Sequence, residues 1–157
     1  MKFHTIFFAA ALLMLAGSGC AVAQTATPAE KFDPELAKSV GADEYGMKKY
    51  VLVILKTGPN KMPAGPERDT MFKGHFANIQ RLAAEGKLAL AGPFDGTENW
   101  RGLFIFATPD IEEAKQFVAT DPVIVNGEMV AEYHHFYGSA ALMLVNQTHG
   151  KLAQKSF

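Results

Sequence analysis

Two short stretches of this chain are apolar at nearly every position, and between them apolar residues recur every three or four. Residues 50–56 (YVLVILK) are β-branched and aliphatic on both faces, which predicts a central strand, and Gly58-Pro59 stops it. Pro66 opens a helix, with Glu67 and Asp69 at its positive end. Phe72, Phe76, Ile79, Leu82 and Ala83 carry its apolar stripe, and Gly86 ends it. Residues 88–91 form a short strand closed by Gly92-Pro93, and residues 102–108 (GLFIFAT) form another that is apolar on both faces. Thr108 N-caps a second helix, with Pro109 in its first position, that runs to residue 119. Asp121-Pro122 ends it, because the residue before a proline disfavours helix. Asn126-Gly127 is a turn, and residues 128–137 (EMVAEYHHFY) form the last strand.

The order strand–helix–strand occurs twice. That is an α+β chain of the ferredoxin-like βαββαβ type: a four-stranded antiparallel sheet with two helices on one face. Its opposite face is also apolar and needs a cover, which predicts a homodimer formed through the open sheet face. The domain occupies residues 47–138. Residues 24–46, broken by Pro28 and Pro34, are a flexible leader with one helical turn near 35–40. Residues 139–157 are a C-terminal helical extension with an apolar stripe through Leu142 and Val145.

Composition adds exclusions. A chain of 157 residues with 48% hydrophobic and 20% charged residues supports one globular domain with its own core. A net charge of −1 without a Lys/Arg cluster gives no footprint for nucleic acid. Lys2, the apolar run 6–16 and the Ala21-Val22-Ala23 cleavage signal make residues 1–23 a signal peptide. The run is too short for a membrane span. The expected location is therefore exported, either periplasmic or extracellular. Lipid anchoring through Cys20 is the competing reading, weakened by Gly17 where a leucine-like residue is wanted. Cys20 is the only cysteine, so the mature chain has no disulfide, thiol nucleophile or thiolate metal site.

The topology gathers chemistry on one rim. Thr57 and Gly58, the first half of the first helix with His75, the Pro93-Phe94-Asp95 corner and Asp121 all fall there, with Trp100 and Arg101 nearby. His75 flanks the apolar stripe, three residues after Phe72 and four before Ile79. It is either a packed core histidine bonded to a carbonyl or a general acid/base whose tautomer a carboxylate fixes. Asp121 and Asp95 both qualify as that carboxylate, and each also reads simply as a helix-terminating or turn residue. His134 and His135 alternate across a strand and cannot chelate one metal, so no metal site is expected. No phosphate-binding loop and no Ser or Cys nucleophile motif is present.

The run GHFANIQRLAAEGKLALAGPF, followed by RGLFIFATPDIEEAKQFVATDPVIVNG, resembles the YciI-like (YCII-related) family over about residues 48–137. The histidine precedes Gly86 by eleven residues; Gly92-Pro93, the EEA helix and Asp121-Pro122 follow in order. The resemblance implies a ferredoxin-like fold that pairs into a dimeric α/β barrel. It also implies a His/Asp-centred site, here His75 and Asp121, with Gly92, Pro93 and Asp95 lining the approach. A relative acts as a dehydrochlorinase on a chlorinated hydroxyquinol, and similar barrels include muconolactone isomerases. Such reactions move a proton on a small cyclic acid and use no cofactor. The expected function is an exported lyase- or isomerase-type enzyme acting on a small-molecule ligand in an apolar pocket lined by Phe72, Phe76 and Phe94. The alternative is a non-catalytic dimeric ligand-binding or envelope-associated module. Export departs from the family's usual setting, which counts against a cytosolic role in aromatic catabolism.

Overall fold

The structure, a computed structural model, describes residues 31–155. The expected signal peptide, residues 1–23 with Cys20, and the start of the leader lie outside the described residues. From Asp33 onward the elements are α1 (Pro34–Val40), β1 (Met47–Thr57), α2 (Pro66–Ala84), β2 (Leu88–Pro93), β3 (Trp100–Phe106), α3 (Ile111–Val118), α4 (Pro122–Val125), β4 (Met129–Ser139) and α5 (Val145–Leu152). A 3₁₀ turn, Ala140–Leu144, links β4 to α5.

The sheet has the order β2-β3-β1-β4 and is antiparallel throughout. Each βαβ half places its two strands either side of a strand from the other half, which is the split ferredoxin-like arrangement. β1 pairs from Val51 opposite Phe106 to Leu55 opposite Gly102 on one side. On the other side it pairs from Met47 opposite Ser139 to Thr57 opposite Met129. Paired along both edges, β1 is central, as its unbroken apolar run requires.

Alternate residues of the strands build the core beneath the helices. Val51, Val53 and Leu55 of β1 meet Phe104 and Phe106 of β3, with Met71 and Leu82 of α2, and Ala114 and Val118 of α3, packed over them. Full burial of each such aliphatic or aromatic side chain contributes about 1.5–3 kcal/mol. On the opposite face Tyr50, Ala89 and Ile105 pack with Leu142 and Met143. The C-terminal segment therefore covers part of that face itself, and Asn146 ties it to edge strand β2 through Nδ2–H donated to the Leu88 carbonyl at 2.7 Å. Elsewhere on that face Lys56 pairs with Glu132, which also holds His134 Nε2 at 2.8 Å.

Two local readings of the sequence need correction. The second long helix is capped by Asp110, whose carboxylate accepts the Glu112 N–H at 2.8 Å. Thr108 accepts the Asp110 N–H instead and donates to Glu113, holding the approach to the helix without capping it. The stripe of α2 is also rotated by one position. Its buried residues are Met71, His75, Asn78 and Leu82, while Phe76 stays 40% exposed. Two polar residues can occupy that line because each is hydrogen-bonded, His75 to buried Asp121 and Asn78 to Thr120 and Arg81.

Candidate functional site around His75 and Asp121

Asp121 lies between α3 and α4 and does two jobs. Its Oδ1 accepts the Val123 N–H at 3.1 Å, capping the short helix that Pro122 opens. The same carboxylate faces α2, where its oxygens stand 2.8 and 2.9 Å from Nδ1 of His75. Asp121 is fully buried and the His75 side chain is 9% exposed. A carboxylate so deep in the protein is costly unless bonded, and here the imidazole and a backbone amide both bond it. An ionised Asp121 accepts from Nδ1–H, which leaves the lone pair of the neutral ring on Nε2.

Two features bring α2 and the α3–α4 corner this close. Gly74 faces Pro122, and a Cβ there would sit 3.0 Å from Pro122 Cγ. One turn along, Asn78 accepts from the Thr120 hydroxyl at 2.9 Å and from Arg81 at 2.8 Å. Thr120 adjoins Asp121, so this second bond fixes the stretch that carries the carboxylate.

Aromatic rings surround the imidazole. Phe72 meets it edge-on with ring centroids 6.1 Å apart, Phe76 lies at 5.4 Å and Phe104 at 6.1 Å. Gly92, Pro93, Phe94 and Asp95 form the corner at the end of β2, where Phe94 packs on Trp100 at 5.3 Å and Asp95 is exposed. The structure thus gathers Asp121, Phe72 and Phe76 around His75, and places Gly92, Pro93, Phe94 and Asp95 at the end of β2. A separate groove of about 640 Å³ runs between α2, β2 and α5, lined by Ile79, Ala83, Leu90, Val145 and His149. Neither His75 nor Asp121 lines that groove.

A second buried acid stands at the same end of the sheet. Glu128, 1% exposed, accepts the Met62 N–H at 2.7 Å and Arg68 at 2.9 Å, and lies 3.9 Å from Arg101. Burial alone would raise its pKa, but the Met62 amide and the two guanidiniums outweigh burial and hold it below the ordinary glutamate value. Sequence reading missed Glu128, Arg68 and Asn78. A glutamate at the head of a strand carries no local mark of burial, and its partner Arg68 is 60 residues away.

A family model for the YCII-related domain matches residues 49–136. The chain belongs to the YCII-related domain family. The match begins in β1 and ends in β4, so it takes in most of the split βαβ core together with His75 and Asp121. Helices α1 and α5, and the 3₁₀ turn that seats Leu142 and Met143 on the sheet, lie outside the matched YCII-related region. No curated protein matches this chain. Among the described residues, no helix is long and apolar enough to cross a membrane.

Proposed function

We propose that this YCII-related protein is a cofactor-independent enzyme that moves a proton on a small cyclic organic substrate, with His75 as the acid/base and Asp121 as its positioning carboxylate. The observation that carries this reading is the 2.8 and 2.9 Å approach of both Asp121 oxygens to Nδ1 within a ring of phenylalanines. An imidazole held so by a buried carboxylate presents Nε2 as a base, and the imidazolium formed is stabilised by the charge behind it. Nε2 takes a proton from an acidic C–H. The electron pair left on carbon then either expels a leaving group, as in a lyase, or is reprotonated elsewhere, as in an isomerase. Phe72, Phe76 and Phe94 would pack against the substrate ring, with Gly92, Pro93 and Asp95 bordering its approach.

Export and pairing belong to the same proposal. The signal-peptide pattern of residues 1–23 supports a periplasmic or extracellular location. Leu52, Leu103 and Val130, none of them fully buried, give the outer sheet face apolar surface on which a second copy would pack.

The test is deuterium incorporation from D2O into a panel of cyclic lactones and chlorinated hydroxyquinols, followed by proton NMR. Incorporation that the wild type accelerates and His75→Gln abolishes supports the enzyme. Equal rates with and without the His75 ring contradict it and leave a binding module.

A further inference from the structure

We propose that Arg68 and Arg101 form an anion clamp that receives a carboxylate of the ligand, braced from beneath by Glu128. This rests on the reading of His75 as the reacting group and adds which residues would hold an acidic group of its ligand.

Two guanidiniums converge on one carboxylate, so the cluster keeps one positive charge after Glu128 is neutralised. Glu128 has no exposed side-chain surface, whereas the Arg68 and Arg101 side chains remain 27% and 25% exposed. The negative charge is therefore buried beneath, and the excess positive charge faces out. One Glu128 oxygen is taken by the Met62 amide and the other by Arg68, which leaves further N–H donors on both arginines. A planar fork of such donors matches a carboxylate.

Between Leu55 and Lys56 the β1–β3 register shifts, so that Gly102 and Trp100 face consecutive β1 residues and Arg101 is the extra one. A bulge re-aims its side chain, and here it brings Arg101 to the Glu128 side. Arg68, Phe72 and His75 occupy positions i, i+4 and i+7 of α2, one face of a helix. Seven residues of helix rise span about 10 Å. The Arg68 guanidinium lies over the Phe72 ring at 4.6 Å, and that ring in turn meets His75 edge-on. A cyclic acid along this line would set its carboxylate on the arginines, its ring on Phe72 and a ring carbon toward Nε2.

The experiment titrates the full chain with sodium benzoate, following arginine Nε–H and His75 ring signals by NMR and affinity by calorimetry. Benzamide, acetate and inorganic phosphate are the comparison probes. The clamp predicts saturable benzoate binding that shifts Arg68, Arg101 and His75 together, with benzamide weaker by about tenfold or more, the worth of a charge-assisted bond. Arg101→Gln loses that preference and Arg101→Lys restores only part of it, each verified as folded by its thermal melt. Equal affinity for benzoate and benzamide overturns the clamp, as does unchanged benzoate binding in Arg101→Gln. Acetate or phosphate binding as tightly as benzoate, with no response at His75, reduces it to an adventitious ion site only and also overturns it. The two readings fail separately. Loss of the clamp leaves the His75 tautomer untouched, while a His75 ring without its Nδ1 proton refutes the acid/base reading even if benzoate binds.

Discussion

Nδ1 of His75 stands within 2.9 Å of both carboxylate oxygens of Asp121, a residue 46 positions away in the chain. The carboxylate reaches the imidazole because the fold returns the second helix to the start of the first. Capping adds a constraint, since the same Asp121 oxygen also closes α4 through the Val123 amide. Replacing Asp121 should therefore separate two effects. Asp121→Asn keeps a capping side chain of equal size and is expected to change stability by no more than about 1 kcal/mol. Asp121→Ala removes the cap and leaves a buried imidazole unpaired, an expected loss of about 2–4 kcal/mol. Urea unfolding of both variants checks the pair of values.

Gly74 sets the spacing between α2 and Pro122. A valine there would push its methyl groups into a proline ring already 3.0 Å from the Cβ position. Gly74→Val is expected to cost about 1–3 kcal/mol by overpacking. It should also lengthen the His75–Asp121 contact, visible as a changed Nδ1–H signal, with β1 and β4 amides undisturbed.

Gly58 is the corresponding tight point beside Glu128. Its N–H donates to the Glu128 carbonyl at 2.8 Å, and a Cβ would fall 2.2 Å from the Gly127 carbonyl oxygen. Backbone cannot yield as a flexible side chain can. Gly58→Ala is expected to lower the thermal midpoint by an amount equivalent to about 1–3 kcal/mol and to shift the Met62 amide, whose acceptor moves with the strand.

Much of this was legible in the sequence. Strand and helix periods gave the βαββαβ order, and that order put His75 and Asp121 on one rim. The α2 stripe was misread by one position because Phe72, Phe76 and Ile79 outweigh His75 and Asn78 in any apolar pattern. Burial of those two polar residues is decided by Asp121 and Thr120, which only the tertiary fold supplies. Choosing Asp121 over Asp95 rested on family resemblance, since spacing alone left both open. Glu128 was invisible for the same reason: its burial depends on Met62, Arg68 and Arg101 together.

Glu128 makes stability depend on acid. Its folded pKa lies below the unfolded reference of 4.5, so its contribution is present above that value and is lost as pH falls through the folded pKa. Wild-type stability should decline below about pH 4.5 more steeply than that of Glu128→Gln, which should be less stable at pH 7 by about 1–3 kcal/mol. Other carboxylates, such as exposed Glu85 and half-buried Glu132, titrate in both proteins. The difference between the two curves therefore isolates Glu128. Parallel curves would show that the arginines do not hold its charge.

The central claim is that Asp121 fixes the tautomer of His75 and leaves Nε2 as the base. Long-range ¹H–¹⁵N correlation of the neutral His75 ring tests it most directly. The wild type should show a protonated Nδ1 and a bare Nε2, and Asp121→Asn, whose amide can donate to Nδ1, should move the proton to Nε2. A wild-type ring already protonated at Nε2, or one whose tautomer is the same in Asp121→Asn, would contradict the account.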